Sequence, residues 1–258
     1  MSILSKIVQK ATRKNAREMI IFSYPKIGKT EMCTKLPGSY VIFDFEGGTE
    51  FYDCNVVPFH KKTSTGEPLT LEQQVKKWHA LKVEMEENNP KFDFIVIDTL
   101  TSLYSILGNA LAVEKYNVEN KKNRPLTWDV DELSYGGGQR LKRMVIQEII
   151  QTLKQYCGCL IMLAHAADKT LGDLTAQLGI KDIALEGKLK DILALKTDAI
   201  GFLHRKEPNK NYLSFITEGS AIIGTRLDHL ANKEFLISEW CPETRRIKES
   251  HWDKIFIK

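Results

Sequence analysis

The chain reads as an α/β protein: a mostly parallel central sheet flanked by helices, with a β-meander toward its C-terminal end. Three observations predict this. Apolar runs of strand length recur at Glu18–Phe22, Tyr40–Glu46, Phe92–Thr99 and Cys159–His165. Between them lie segments whose apolar residues fall three and four apart, the helical period. Beyond Asp198 short runs follow one another through turns, as in a meander. Strands that alternate with helices favour a parallel sheet, because parallel neighbours need a crossover between them.

A hydrophobic content of 43% over 258 residues supports a real core, and neither a linker rich in Pro, Gly or Ser nor a repeat interrupts it. The expected organisation is an N-terminal arm or helix over 1–17 and a single domain over 18–258. The arm mixes Lys and Arg with short apolar residues; it has transit-peptide character but no long apolar segment, so the arm is favoured. No run of about 18 apolar residues is present, which excludes a membrane span. With 37 basic against 33 acidic residues, the +4 net charge is compatible with a nucleic-acid partner without pointing to one. Five irregularly spaced cysteines, an odd number, favour a reducing, cytoplasmic compartment. Cys157-Gly-Cys159 is too short for the usual zinc spacing and lacks a second pair, so buried thiols are expected.

Taken in order, strand one (Glu18 to Phe22) runs into Ser23-Tyr24-Pro25-Lys26-Ile27-Gly28-Lys29-Thr30, and a short helix follows over Glu31 to Leu36, ended by Pro37-Gly38. A strand, a tight loop and Gly-Lys-Thr at a helix start form the context of a P-loop. The backbone from Tyr24 to Glu31, with its N–H groups at every position but Pro25, surrounds nucleotide phosphates there, Lys29 reaches the terminal oxygens, and the Thr30 hydroxyl binds Mg²⁺. Ser23 stands where the pattern has its first Gly. The second strand, Tyr40 to Glu46, ends in Asp44 and Glu46; ligands of open α/β sheets bind beyond carboxyl strand ends, so both acids fall on the P-loop edge. Residues 53–66 are irregular, and Leu69 to Asn88 is helical up to Asn89-Pro90. Phe92 to Asp98 closes on an acid in the manner of a Walker B strand, whose Asp orders Mg²⁺ through the P-loop hydroxyl. A helix is expected from Thr101 to Val118, a long loop from Glu119 to Arg140 with an exposed Trp128, and a helix from Leu141 to Tyr156. The fourth strand ends at His165, and Ala166 to Lys190 reads as a second loop or loop-plus-helix.

This order of strand-end motifs resembles the RecA-like P-loop ATPase core. More narrowly, it looks like the short RecA-like ATPases that bacteriophages encode beside single-strand-annealing recombination functions. The matching residues are Tyr24-Pro25-Lys26-x-Gly28-Lys29-Thr30, Asp44-Phe45-Glu46, Ile97-Asp98-Thr99 and Ala164-His165, and the resemblance spans roughly 18–226. It implies ATP and Mg²⁺ as cofactors, Lys29 and Thr30 on phosphate and metal, Asp98 as the Walker B acid, and Glu46 as the carboxylate that orients the attacking water. Phosphoryl transfer to water asks for such a carboxylate. It also places His165 at a sensor position, where a structural His is the equal alternative, and Arg226 where a finger could reach a neighbour's nucleotide, where plain solvent exposure explains an Arg as well. The two irregular regions fall where RecA-like proteins carry DNA-binding loops. Lys121, Lys122, Arg124, Trp128 and Tyr135 in the first, and Lys169, Lys181, Lys188 and Lys190 in the second, are candidates for phosphate contacts and base stacking. Charge runs are otherwise solvated faces. The implied partners are single-stranded DNA, further copies of the chain, and a single-strand-binding or annealing protein; for a phage-encoded chain the compartment is the host cytoplasm.

Two other classes remain open. One is an AAA+-type remodelling ATPase, although such proteins usually place their catalytic Glu directly after the Walker B Asp, where this chain has Thr99. The other is a nucleotide-binding interaction module without hydrolysis, supported only by Ser23. A small-molecule kinase would need an Arg-rich lid, and no such cluster stands out.

Overall fold

A computed structural model of the chain describes residues 13–62, 64–168, 181–185, 188–217 and 222–257. The sheet is built around a fully buried apolar strand, β1 (Glu18–Ser23). On one side of it stand β2 (Tyr40–Asp44), the short β3 (Val56–Pro58), β4 (Phe92–Asp98) and β5 (Cys157–Asp168). On the other stand β7 (Ala199–Glu207), β8 (Lys210–Ser214), β10 (Glu234–Trp240) and β11 (Ile247–Ser250). Two further short strands attach to the sides: β6 (Lys181–Ile183) on β5 and β9 (Gly224–Thr225) on β7. The spatial order is β11-β10-β8-β7-β1-β5-β4-β2-β3.

From β7 through β3 neighbouring strands are parallel, and their register aligns the functional ends. Ser23 lies opposite His165, and Asp44 opposite Asp98. A parallel sheet thus delivers all four to one edge, which is why polar residues at the ends of apolar runs were informative. The expected meander is present: β7, β8, β10 and β11 pair antiparallel in turn.

Helices cover both faces, and β1 feeds both. Ile20 and Phe22 pack with Phe43, Trp78, Leu107, Ile149 and Met162 on one face, toward α2 (Leu71–Asn88), α3 (Gly108–Asn120) and α4 (Gly137–Lys154). Met19 and Ile21 pack with Met32, Val96, Leu163, Leu213 and Trp252 on the other, toward α1 (Lys29–Cys33) and the C-terminal strands. A further helix, α5 (Lys188–Lys196), leads into β7. Thr70 and Gln73 form a capping box at the start of α2, worth about 1 kcal/mol.

Several expectations need correction. Residues 53–66 hold β3, too short and too near Pro58 to show a periodic signal. The helix expected from Thr101 opens at Leu100–Ser102, passes through a π-helical turn at Leu103–Leu107, and continues as α3 to Asn120. The following loop is not structureless: it holds 3₁₀ turns at Val130–Glu132 and Ser134–Gly136, and α4 starts at Gly137 rather than Leu141. Past β11, Trp252 is 2% exposed and its indole donates to the Met32 carbonyl at 3.1 Å, which packs the C-terminal stretch against α1. Among the described residues no helix is long and apolar enough to cross a membrane. Residues 1–12 of the arm expected over 1–17, and Lys169 with most of the expected second loop, lie outside the described residues.

Candidate nucleotide site

The loop after β1 turns with Lys26 in the left-handed region (φ 63°) and again at Gly28 (φ 102°). Gly28 is obligatory for two reasons: its φ, and a Cβ that would meet the Trp240 ring at 2.4 Å. The first backbone bond of α1 runs from Met32 N to Gly28 O at 3.0 Å, so the preceding N–H groups of the turn are not used by the helix. Lys29 is buried and its ammonium donates to Ser23 Oγ at 3.0 Å and to the Ser23 and Tyr24 carbonyls at 3.4 Å. Burial lowers its pKa, while the charges of Asp98 and Glu46 oppose that shift. Ser23, the departure from the P-loop pattern, is fully buried and gives this cation an acceptor.

Thr30 donates its hydroxyl to Asp98 Oδ2 at 2.6 Å. Asp98 is 2% exposed; burial, reinforced by the charges of Asp44 and Glu46, lifts its carboxyl to about 6 despite the Thr30 hydrogen bond and the Lys29 charge. A Cβ on Gly48 would lie 3.1 Å from Thr30 Oγ1 and 3.5 Å from Asp98 Oδ2, so a glycine keeps the ground above this pair open. The hydroxyl–carboxylate pair beside a buried Lys fits Mg²⁺ shared with a nucleotide, since that ion uses one or two protein oxygens plus phosphates rather than an all-protein cage. No cluster of three or more His, Cys, Asp or Glu suited to a metal occurs among the described residues.

Glu46 sits just beyond β2, and Asp44 puts it there. The fully buried Asp44 carboxylate accepts from the backbone N–H groups of Glu46 (2.9 Å), Gly47 (2.7 Å) and Thr49 (3.0 Å), and from the Thr49 hydroxyl (2.5 Å). The Glu46 carboxylate then receives three donors on one oxygen, Oε1: Thr99 Oγ1 at 2.5 Å, Ser102 Oγ at 2.6 Å and His165 Nε2 at 3.0 Å. Burial alone would raise its pKa, but these hydrogen bonds and the His165 charge together bring it down to about 2. Its other oxygen, Oε2, takes no part in these three bonds. Among the described residues, the buried His165 Nδ1 has no hydrogen-bond partner.

The structure therefore brings Lys29, Thr30, Glu46, Asp98 and His165 to one edge. Tyr24, Pro25, Lys26, Ile27 and Gly28 line the same loop. Glu31 belongs to it only by its backbone, because its buried carboxylate accepts from Ile247 N of β11 at 2.7 Å. Arg226 is not brought there. It follows β9, which pairs with the opening residues of β7, at the far end of the sheet. Its guanidinium donates to the Leu195 and Lys196 carbonyls at the end of α5 and lies 3.6 Å from Asp198. To act as a finger it would have to leave those partners. Trp128 also departs from expectation: half-buried, it donates to Glu132 at 2.6 Å, has the Arg124 guanidinium 5.1 Å from its ring centre, and meets the Tyr116 ring at a 47° tilt. Lys121, Lys122 and Arg124 are exposed, and Tyr135 stands fully exposed in the left-handed region (φ 57°). Lys169 and the Lys181 side chain lie outside the described residues.

Sequence reasoning missed Thr99 and Ser102 as Glu46 donors and Asp44 as organiser of the Glu46 turn. The Asp-x-Glu spacing carried a signal for Asp44; nothing local marked the two hydroxyls. A family model described as an AAA domain matches residues 15–226, most of the chain. No curated protein matches it.

Proposed function

The chain belongs to the AAA domain family of P-loop ATPases, and from that premise we propose that it is a Mg²⁺-dependent ATP hydrolase of RecA-like type that acts on single-stranded DNA as an assembly of several copies. The observation that carries the hydrolytic part is the Glu46 carboxylate, held ionised by Thr99, Ser102 and His165 beside the Thr30–Asp98 pair. Lys29 holds the terminal phosphates by charge. Thr30 and Asp98 hold the cation that neutralises phosphate charge when bound. Glu46 accepts a hydrogen bond from water and aims it, the role a carboxylate with a preset orientation performs best. His165, bonded to that carboxylate through its ring, also accepts at its carbonyl from Ala184 N just past β6 at 2.8 Å, so its position is tied to that strand end.

The DNA part rests on surface chemistry. Tyr135 presents an entire ring to solvent, and Lys121, Lys122 and Arg124 supply exposed cations in the same inter-helix region. Aromatic stacking and phosphate neutralisation together suit a single strand. The role that follows is in recombination, repair or replication, in the manner of phage-encoded ATPases of this type. The test is ATP hydrolysis with and without single-stranded DNA at low salt, beside direct binding. Stimulation that is lost in Tyr135→Ala and in Lys121→Glu/Lys122→Glu is expected; a rate indifferent to DNA together with no binding overturns it. The AAA domain match supports a second reading, a remodelling ATPase, in which a protein client rather than DNA stimulates hydrolysis.

A further inference from the structure

Beside the P-loop, on its β7 side, lies a cavity of about 380 Å³ lined by Lys26, Arg205, Asn209, Trp240 and Arg245. We propose that it is the subsite for the nucleoside half of the nucleotide. This inference rests on the nucleotide-site reading above and assigns its unassigned end.

The first argument is direction. A nucleotide lying in the P-loop has its terminal phosphate toward the hydrolytic carboxylate. Glu46, Asp98 and His165 all come from β2, β4 and β5, on one side of β1. The base and ribose must then leave on the other side, where β7, β8 and β10 stand. Lys26 belongs to both the loop and this cavity, so the two are contiguous.

The second argument is chemistry. Trp240 offers an indole, and the Arg205 guanidinium sits 5.7 Å from the centre of its ring, forming a flat cation–aromatic wall. Among the described residues its buried Nε1 has no hydrogen-bond partner, and a Cβ on Gly28 would meet the adjoining ring atom at 2.4 Å. A buried indole N–H normally finds an acceptor. Lys26, Arg205 and Arg245 are exposed, and none has a carboxylate within ion-pair distance among the described residues. Three cations without a carboxylate partner, of which Arg205 makes one long bond from Nε to Asn211 Oδ1 at 3.4 Å, and an aromatic ring around one small cavity match a heteroaromatic base with ring acceptors, next to a ribose and its first phosphate. The volume is that of a small-molecule site.

The third argument is rigidity. The turn from β10 to β11 is closed by Cys241 N to Arg246 O at 2.8 Å and Arg245 N to Cys241 O at 2.9 Å, with Arg245 in the left-handed region (φ 54°). Asn211 of β8 donates to the Ile27 carbonyl at 2.9 Å. Loop and cavity wall are therefore fastened to each other.

The test compares Mg²⁺–ATP with Mg²⁺–tripolyphosphate, which has the phosphates without the nucleoside, by calorimetry on the full chain. Arg205→Gln/Arg245→Asn is the variant of choice: both positions are exposed, and Asn tolerates a positive φ. ATP binding is expected to weaken by about 10-fold or more, a loss typical of two charged hydrogen-bond donors, while tripolyphosphate binding stays within about 2-fold. Trp240→Phe, which keeps a ring and removes the N–H, is expected to weaken ATP alone by about 3-fold or more. Equal weakening of both ligands overturns the proposal, since the cations would then act on phosphate charge alone. No change in either also overturns it, while the nucleotide-site reading stands. A wild-type chain that binds neither ligand removes that reading itself, and the subsite with it.

Discussion

The two sides of β1 make opposite provision for the loop between them. Toward β5, β4 and β2 the edge is acidic and tightly bonded: Asp44, Glu46 and Asp98 are all engaged, and hydroxyls from Thr30, Thr49, Thr99 and Ser102 serve them. Toward β7 and β10 it is cationic and underused, with Arg205, Arg245 and a buried indole N–H around a cavity. Charge is concentrated and held where bonds would be broken, and donors are left open where a ligand would be recognised. One loop is shared by a reactive edge and a receptive one.

That contrast breaks first at Glu46. Glu46→Gln is expected to lower kcat by about 10²–10⁴-fold, the usual worth of a positioned acid–base group, with ATP affinity kept. Single-turnover kinetics beside calorimetry measures both; an unchanged kcat would show that the acidic side is not the reactive one. Lys29→Ala, by contrast, should abolish binding of ATP and tripolyphosphate alike, because it serves both sides.

The next prediction concerns the charge of Asp98. Its carboxyl is raised above its ordinary value, so the folded Mg²⁺-free chain binds the extra proton between about 4 and 6. Stability from this group is therefore present at low pH and falls as pH rises through that window, by roughly 3 kcal/mol. Asp98→Asn should raise the Mg²⁺-free Tm at pH 7 and flatten its dependence between pH 4 and 6. A variant less stable than wild type at pH 7 would show that the charge is compensated. Glu46 has the opposite sign: its depressed carboxyl contributes stability above about 4.5 that is lost as pH falls toward 2. In His165→Gln that acid limb should shift upward, read from the carboxyl resonance of Glu46.

The smallest expected effect is at the P-loop departure. Ser23→Gly removes one acceptor from Lys29 and restores the glycine of the pattern, and ATP affinity should move by no more than about 5-fold. A larger loss would make the serine hydroxyl part of the phosphate cradle.

How much of this was legible follows from where the information sits. Strands β1, β2, β4 and β5 announce themselves because a buried parallel strand is an unbroken apolar run, and each closes on the residue that matters: Ser23, Asp44, Asp98 and, within β5, His165. The acidic side was readable for that reason. β3 was not, since three residues ending in Pro58 carry no period. Thr99 and Ser102 were passed over because a hydroxyl at a helix start reads equally as a cap, and Thr99 is one, accepting from Ser102 N at 3.3 Å. Arg226 looked available because exposure and capping of α5 cannot be told apart in one dimension. The receptive side was invisible: Trp240 meets Gly28 only because a meander folds β10 back across more than two hundred residues.

The docking of Glu31 on Ile247 N, and of Trp252 on the Met32 carbonyl, has a practical consequence. The family match stops at residue 226, yet α1, which carries Thr30, leans on strands that come later. A chain cut at that boundary would uncover Met32 and Cys33 and release the helix behind the phosphates. Boundaries inherited from the shared family region would yield a fragment that has every motif and no floor beneath them.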